Sequence, residues 1–575
     1  MIKLFKNLKP YRLPITFVLI LVFIQSLSDL FLPTLMADIV DKGIAKGDIP
    51  YIWQIGGIML LIAGIGAICS IGASYFSSRV AVGFGQRLRS KVFNHVQNFS
   101  LQEFDKIGTA SLITRTTNDI NQVQQVLIML LRMMISAPMM CIGGIIMAVN
   151  KDAKLSLVIV VVIPVLVGAI AILALKGLPL FKAMQVKLDT LNLVLRENLT
   201  GMRVIRSFNR TEHETNRFND ANVDLTNTAI KVNKIMAAMM PIMMLVMNFA
   251  TIAIVWFGGI RISNGDMQVG SLMAFIQYAA QIMFSLIMVS VIFVIVPRAS
   301  ASATRINEVL NMVPEINDPA QPRQDNGQRG YLTFEDVTFH YPGAEQPAIA
   351  NISFDARPGE TTAIIGGTGS GKSTLLSLIP RFYDVGSGRV LIDGVDVREL
   401  SQEQLRAKIG FVPQKSVLFT GTIAENIRYG KEDASDEEIQ RAAEIAQATE
   451  FISNMKDGFE SDIAQGGSNI SGGQKQRLSI ARALVRDPEV YVFDDSFSAL
   501  DFKTDSKLRV AMKEVTANAT VLLVAQRVST VMDADRIIVL DDGGIVGIGK
   551  HRELMATCDV YREIVSSQLS EEESA

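Results

Sequence analysis

The stretch Gly366-Gly367-Thr368-Gly369-Ser370-Gly371-Lys372-Ser373-Thr374 has the spacing G-x-x-x-x-G-K-S of a loop that closes around phosphate. A short apolar run, Ala363-Ile364-Ile365, precedes it and reads as a strand; Leu375-Leu376 follows and reads as the start of a helix. That context gives the pattern its chemistry. Glycines let consecutive backbone N–H groups approach phosphate oxygens, and the helix N-terminus adds partial positive charge. Lys372 is placed to reach β- and γ-phosphates, and the Ser373 hydroxyl to ligate magnesium. The chemistry implied is binding of magnesium ATP.

Further along, Val490-Tyr491-Val492-Phe493-Asp494-Asp495 is an apolar strand ending in two acids and resembles a Walker B element. Asn469-Ile470-Ser471-Gly472-Gly473-Gln474-Lys475-Gln476-Arg477 resembles the signature sequence of ATP-binding cassette (ABC) proteins, with Ile470 at the usual leucine. Physically, Ser471 caps a helix whose N-terminus and glycine N–H groups suit a γ-phosphate. The order of Tyr341, the phosphate loop, Gln414, the signature, Asp494, Ser498-Ala499-Leu500-Asp501 and Gln526 resembles an ABC nucleotide-binding domain over residues 330–565. The resemblance implies a role for each. Tyr341 stacks on adenine; Gly366 to Thr374, Gln414 and Asp494 bind ATP; Ser373 and Gln414 hold magnesium. Ser471, Gly472, Gly473 and Gln474 face ATP held by an opposing subunit, and Ser498 and Asp501 belong to a dimer-interface loop.

Two positions depart from the family pattern. Walker B strands usually end in Asp-Glu, and here the second acid is Asp495; Gln526 stands where a histidine is expected. Asp495 keeps the charge on a side chain one methylene shorter, and a catalytic group misplaced by about 1 Å costs on the order of a hundredfold. Gln526 can hydrogen-bond but cannot become cationic. The pair marks a degenerate catalytic site, while Asp494 preserves binding. A signature close to consensus would complete a partner's site. The expectation is a heterodimer with a second, homologous half-transporter that carries the consensus glutamate and histidine.

The chain has 575 residues, too many for one compact domain. Its net charge of −2 gives no reason to propose nucleic acid. Three cysteines, Cys69, Cys141 and Cys558, lack metal-ligand spacing. Apolar runs near 15–37, 52–76, 127–149, 155–175, 235–262 and 271–296 are each long enough to cross a bilayer core. The basic start followed by the first run resembles a signal peptide only superficially and reads as a first span. Long connections after the second and fourth runs keep a helical pattern, shown by Phe84, Leu88, Val92 and by Leu188, Leu191, Leu195. The expected fold is an α-helical membrane domain of six transmembrane helices with long cytoplasmic extensions, fused to an α/β P-loop ABC nucleotide-binding domain. The domains are placed at 1–312 and 331–575, with a linker at 313–330 and an acidic tail at 570–575.

With six preceding spans and long inner loops, the whole chain resembles an ABC exporter half-transporter, and specifically the degenerate-site subunit of bacterial heterodimeric multidrug exporters. The resemblance implies coupling helices near Phe104–Gly108 and Phe208–Glu212. It implies an integral protein of a bacterial cell membrane, with the ATP domain and both termini cytoplasmic. Lys and Arg densities differ little between the two sides, so the ATP domain sets this orientation. Met236, Met239, Met240, Met243, Met244 and Met247 crowd the fifth span, and thioethers suit varied apolar ligands. Gln277, Gln281, Phe284 and Phe293 in the sixth span read as cavity residues, and Asp29, Asp38 and Arg132 are charges within or at the edge of spans. The expected partners are membrane lipids and hydrophobic small molecules, and the expected cargo is a hydrophobic or amphiphilic drug-like compound. Lipid flipping and a non-pumping, ATP-gated regulatory subunit are the alternatives.

Overall fold

The computed structural model describes residues 1–323 and 327–568, apart from the side chains of Ile2, Ser290, Val291, Phe293 and Val294. The Phe293 side chain and the acidic tail expected at 570–575 lie outside the described residues. The chain forms two compact units, one of residues 1–97 and 110–312 and one of residues 98–109 and 313 onward.

The first unit is helical. It holds α1 (Arg12–Asp38) and α2 (Ile49–Gln97); the short α3 (Leu101–Ile107) then belongs to the second unit. The first unit resumes with α4 (Ile120–Lys151), α5 (Leu157–Thr200), α6 (Thr211–Ser263) and α7 (Val269–Asn311). Among the described residues, six helices are long and apolar enough to cross a membrane. Helices of 49, 44 and 53 residues for α2, α5 and α6 far exceed the ~20 residues that a bilayer core requires, so they extend beyond it. Prolines lie inside α1, α4, α5, α6 and α7, and helix neighbours in a bundle re-satisfy the backbone groups they free.

A few polar contacts tie the bundle together. Fully buried Tyr278 on α7 donates to the Leu30 carbonyl at 3.0 Å and shares a 2.5 Å hydrogen bond with the Thr34 hydroxyl, both on α1. Asp41 accepts from the N–H groups of Gly270 at 2.6 Å and Ser271 at 3.1 Å. Its carboxylate thus meets orphan donors and the positive end of α7. Asp38, suspected from sequence as an interfacial charge, pairs with Lys42 at 2.9 Å. Of the fifth-span methionines, Met243 is core, Met239 and Met247 pack against that core, and Met236, Met240 and Met244 are exposed.

The second unit is α/β. A six-stranded sheet has the order β12-β11-β3-β10-β9-β6. Its members are β3 (Thr361–Gly366), β6 (Ile409–Val412), β9 (Val490–Asp494), β10 (Thr520–Val524), β11 (Arg536–Asp541) and β12 (Gly544–Gly549). All neighbours are parallel except β11 with β12. β9 and β10 are buried at every position, as continuous apolar runs in a covered parallel sheet must be. A four-stranded antiparallel sheet of order β2-β1-β4-β5 lies in the same unit, built from β1 (Leu332–Phe339), β2 (Ile349–Ala356), β4 (Ser387–Ile392) and β5 (Val395–Asp396).

One ion pair in the first unit tests its packing. Asp152 is buried and accepts from the Leu155 N–H at 2.8 Å and from Arg261 Nε at 2.5 Å. Removing one partner strands a buried charge. Arg261→Gln is expected to destabilise the membrane unit by about 2–3 kcal/mol, and adding Asp152→Asn to recover at least half of that. Equilibrium unfolding in detergent of the two variants measures it, and a double variant no better than Arg261→Gln contradicts the assignment.

Candidate functional site

Parallel strands bring the sequence motifs to one edge. Val524 pairs with both Ile364 and Asp494, and Val412 pairs with Phe493. The carboxyl ends of β3, β10, β9 and β6 therefore align, and the residues that follow them converge, the usual place for a ligand in an open α/β sheet. β3 delivers Gly366 and the loop to Gly371, and α8 (Lys372–Leu378) begins directly after it. β9 delivers Asp494 and Asp495, β10 delivers Gln526, and β6 delivers Gln414.

Gly369 has a φ of +87° and Gly371 of +93°, where side chains are strained. A Cβ on Gly371 would stand 2.7 Å from the Ala348 carbonyl, whereas Gly367 and Gly369 have no heavy atom within 4 Å of that position. The loop is thus pinned on one side and open on the other. Lys372 Nζ donates to the carbonyls of Gly366 at 2.9 Å and Gly367 at 2.6 Å and to Ser370 Oγ at 3.4 Å. Burial pushes its pKa down, and Asp495 and Asp494 oppose that. Thr374, next along α8, shares a 3.0 Å hydrogen bond with the Tyr341 hydroxyl, leaving a ring 39% exposed.

Ser373 Oγ donates to Asp494 Oδ1 at 3.1 Å. Burial raises the Asp494 pKa and the charge of Asp495 adds to it, against the Ser373 hydrogen bond and Lys372. A hydroxyl, a carboxylate and the carbonyl end of Gln414 are hard oxygen donors, the set magnesium takes. Together with the open loop they fit magnesium ATP.

Asp495 is buried and its backbone is left-handed, with φ 46°, a conformation Asp tolerates better than most residues. Its N–H continues the sheet ladder to the Val524 carbonyl at 3.0 Å. Its Oδ2 accepts from Gln526 Nε2 at 2.8 Å and from Gln414 Nε2 at 3.3 Å. Burial raises the Asp495 pKa, with hydrogen bonds from Gln414 and Ser498 and the charges of Lys372 and Arg527 opposing. Both departures from the family pattern thus meet at one carboxylate oxygen.

The signature segment sits apart. Ser471 Oγ accepts from the Gln474 N–H at 3.3 Å, and Gln474 Oε1 accepts from the Ser471 N–H at 2.8 Å, a capping box opening α9 (Gly472–Leu484). Gly472 has open space beside it, while Gly473 presses against the Ala499 carbonyl. Asp501 caps α10 (Phe502–Val515), accepting from the Thr504 N–H at 3.0 Å. Among the described residues no hydrogen bond joins Ser471–Gln474 to the Gly366–Thr374 loop.

The sequence assigns no role to Gln476, Arg527, Gln568, Tyr383 or Glu103, and the structure gives each of them one. Gln476 accepts from the Ala499 N–H at 3.1 Å, and Arg527 donates to the Ser498 carbonyl at 3.0 Å, so both hold the loop before Asp501. Gln568 donates to the Gln526 carbonyl at 2.8 Å and accepts from the Val528 N–H at 2.9 Å, clasping the segment that carries Gln526. Tyr383 packs edge-on to Tyr341 with ring centroids 5.6 Å apart, and its hydroxyl donates to Asp105 on α3 at 3.2 Å. Burial and the adjacent Asp105 charge push the Tyr383 pKa up to about 12. Glu103, also on α3, accepts from the Glu315 N–H at 3.1 Å. No short-range pattern announces the contacts of Gln568 or Tyr383; Asp105 lies in a segment expected to couple the units, and Gln476 and Ala499 lie in the signature and in the loop before Asp501.

Two outcomes follow from this geometry. A buried carboxyl with a raised pKa costs stability at neutral pH, and the cost disappears as pH falls through that pKa. Asp494→Asn is therefore expected to raise the melting temperature of the nucleotide-free chain at pH 7 by a few degrees, to flatten its rise on acidification, and to abolish magnesium-dependent stabilisation by ATP; thermal unfolding against pH and magnesium reads all three. For the second unit, a Tyr383→Phe and Asp105→Asn double-mutant cycle is expected to return a coupling energy of about 0.5–1.5 kcal/mol. Strict additivity in the same unfolding assay would remove the contact.

Comparison with known proteins agrees with this geometry. Residues 15–286 match the ABC transporter transmembrane region and residues 349–498 the ABC transporter family. An uncharacterized ABC transporter ATP-binding protein of Mycobacterium tuberculosis is 44% identical, covering 98% of this chain and 97% of its own length. An ATP-dependent lipid A-core flippase of Vibrio vulnificus is 31% identical over 99% of this chain and 97% of its own length. A bacterial Atm1-family ABC exporter solved with ATP bound superposes with a TM-score of 0.81 at 26% identity, covering 97% of this chain and 99% of that one. A membrane-spanning unit and an ATPase unit joined in one chain, with relatives matched along nearly their whole lengths, place this protein in the ABC transporter family as an ATP-driven exporter half-transporter.

Proposed function

We propose that this chain is one half of a heterodimeric exporter of hydrophobic or amphiphilic compounds, and that its own ATP site binds nucleotide but hydrolyses it slowly. The observation that carries the reading is the environment of Asp495. Its carboxylate is short, buried and held by two neutral amides, those of Gln414 and Gln526. A base for water attack needs reach toward the γ-phosphate, and the residue at position 526 contributes most when it can carry charge. Asp495 is one methylene shorter than the family's glutamate, and Gln526 cannot carry charge. The binding groups Lys372, Ser373 and Asp494 retain their mutual contacts, with Ser373 and Gln414 as the magnesium ligands when the ion is bound.

The separate signature supports the second half of the proposal. Ser471 to Gln474 opens a capped helix with clear space at Gly472 and would serve nucleotide on another subunit. The two coupling segments support energy transfer in the same assembly: α3 carries Asp105 to Tyr383, and the turn at Phe208–Arg210 leaves Phe208 75% exposed. On this reading the ATP-binding unit and both termini are cytoplasmic, in a bacterial cell membrane. Lipid flipping is the second reading, favoured by the similarity to a flippase along nearly the full chain.

Purified alone in lipid, the natural chain is expected to bind ATP and turn it over slowly. Asp495→Glu with Gln526→His is expected to raise turnover by roughly a hundredfold. It should also introduce a loss of activity as the new histidine titrates between about pH 6 and 7, with no counterpart in the natural chain. Brisk, substrate-stimulated turnover by the natural chain alone would replace the heterodimer with a homodimeric pump. Vesicle uptake of a fluorescent drug and of a labelled phospholipid, with the co-expressed partner, separates export from flipping.

A further inference from the structure

A cavity of about 680 Å³ lies between α1, α4 and α7 of the membrane unit, a size that takes a drug-like molecule. Met129, Phe284 and Met288 give it a soft apolar wall. The Phe284 and Gln281 expected from sequence do line it, whereas Gln277 is exposed and donates instead to Met36 Sδ at 3.5 Å. None of the fifth-span methionines is part of it.

The polar groups in this cavity are unlike those of a packing gap. Asp29 lines it half-buried and makes no ion pair among the described residues. Gln281 donates its amide to the Asp29 carbonyl at 3.0 Å, which leaves Gln281 Oε1 buried without a hydrogen-bond partner. The Asp29 carboxylate and the Gln281 amide oxygen therefore belong to one cavity, and neither accepts a hydrogen bond from another side chain among the described residues. Arg132 lines the same cavity and likewise has no ion pair among the described residues. The two charges are well separated. The Leu30 side chain fills the place a Cβ on Gly143 would take, so these residues are level, and α1 and α4 cross the membrane in the same direction. Asp29 lies one residue before Leu30 and Arg132 eleven before Gly143, which at 1.5 Å per residue puts their Cα atoms ~15 Å apart along the bundle. Charges held inside a membrane unit are functional by default when nothing within the chain neutralises them.

We propose that this cavity binds a bipolar amphiphile, with a protonated amine against Asp29 and Gln281, an anionic group against Arg132 and an apolar body between them along the methionine wall. A simple cation leaves Arg132 unmet, and a simple anion leaves both acceptors unmet. The proposal rests on the exporter reading above and gives its cargo a charge pattern.

The test is binding to the full chain in lipid nanodiscs without nucleotide, using three probes of equal length: ω-aminododecanoic acid, dodecylamine and dodecanoic acid. The amino acid is expected to bind about tenfold tighter than either singly charged probe. Asp29→Asn should erase its advantage over dodecanoic acid, and Arg132→Gln its advantage over dodecylamine. Equal affinities for the three probes on the natural chain overturn the proposal without requiring any variant to fold, as does a preference that neither substitution alters. Charge selectivity in binding, together with no transport by the assembled complex in vesicles, would remove the export reading and leave this site standing. Transport with no charge selectivity would do the reverse.

Discussion

The hydrogen bond from Ser373 to Asp494 ties together two parts of the sheet edge that β10 separates. It joins the helix that follows the phosphate loop to the strand that carries the acids. It can form only because β3, β10 and β9 are parallel and in register, so their carboxyl ends finish at one level. The sheet supplies that register through continuous burial: β9 and β10 have no exposed position, so neither strand can slip without burying polar backbone or exposing apolar side chains. Everything the site does follows from this edge. Lys372 and Asp494 are brought into one electrostatic neighbourhood, and Asp495 is forced to leave β9 through a left-handed turn that points it at Gln414 and Gln526.

Much of this was legible in the residues. The phosphate loop, the strand ending in two acids and the capped signature helix are local devices, each complete within about ten residues, so spacing alone identifies them. Membrane spans are legible for the same reason, because a bilayer demands a long uninterrupted apolar run. Contacts across long separations are a different matter. Gln568 clasps Gln526 across 42 residues and Tyr383 reaches Asp105 across 278, and neither pair has a sequence pattern of its own. Arg527 adjoins Gln526 in sequence, but its hold on Ser498 shows only in the fold.

The methionines make the same point from the other side. A methionine-rich fifth span suggests a ligand path, and in this chain Met243 is core while Met236, Met240 and Met244 are exposed. Composition counts side chains around a helix without saying which face each occupies. The cavity instead takes its methionines from α4 and α7, where they are spread among Gln and Arg and do not stand out. Its Asp29 was noticed because charge within a span is rare, and rarity is a signal that survives ignorance of helix rotation.

On the proposed reading, Asp495 and Gln526 separate a binding site from a catalytic one. Binding draws on groups that meet phosphate and metal in the ground state, namely the loop N–H groups, Lys372, Ser373 and Asp494. Catalysis draws on groups that act as charge develops in the transition state, and on the proposed reading Asp495 and Gln526 are such groups. On the proposed reading, ATP remains in this site for many turnovers of the partner site. A ligand that stays bound acts as a structural element, and at a concentration 100-fold above its Kd it stabilises the fold by about 2.7 kcal/mol. That energy is concentrated where the loop, Asp494 and Tyr341 converge, and Tyr341 lies against Tyr383, which holds Asp105. Slow hydrolysis would then keep the contact between α3 and the ATP-binding unit braced by nucleotide, so that the partner site alone supplies the alternating step.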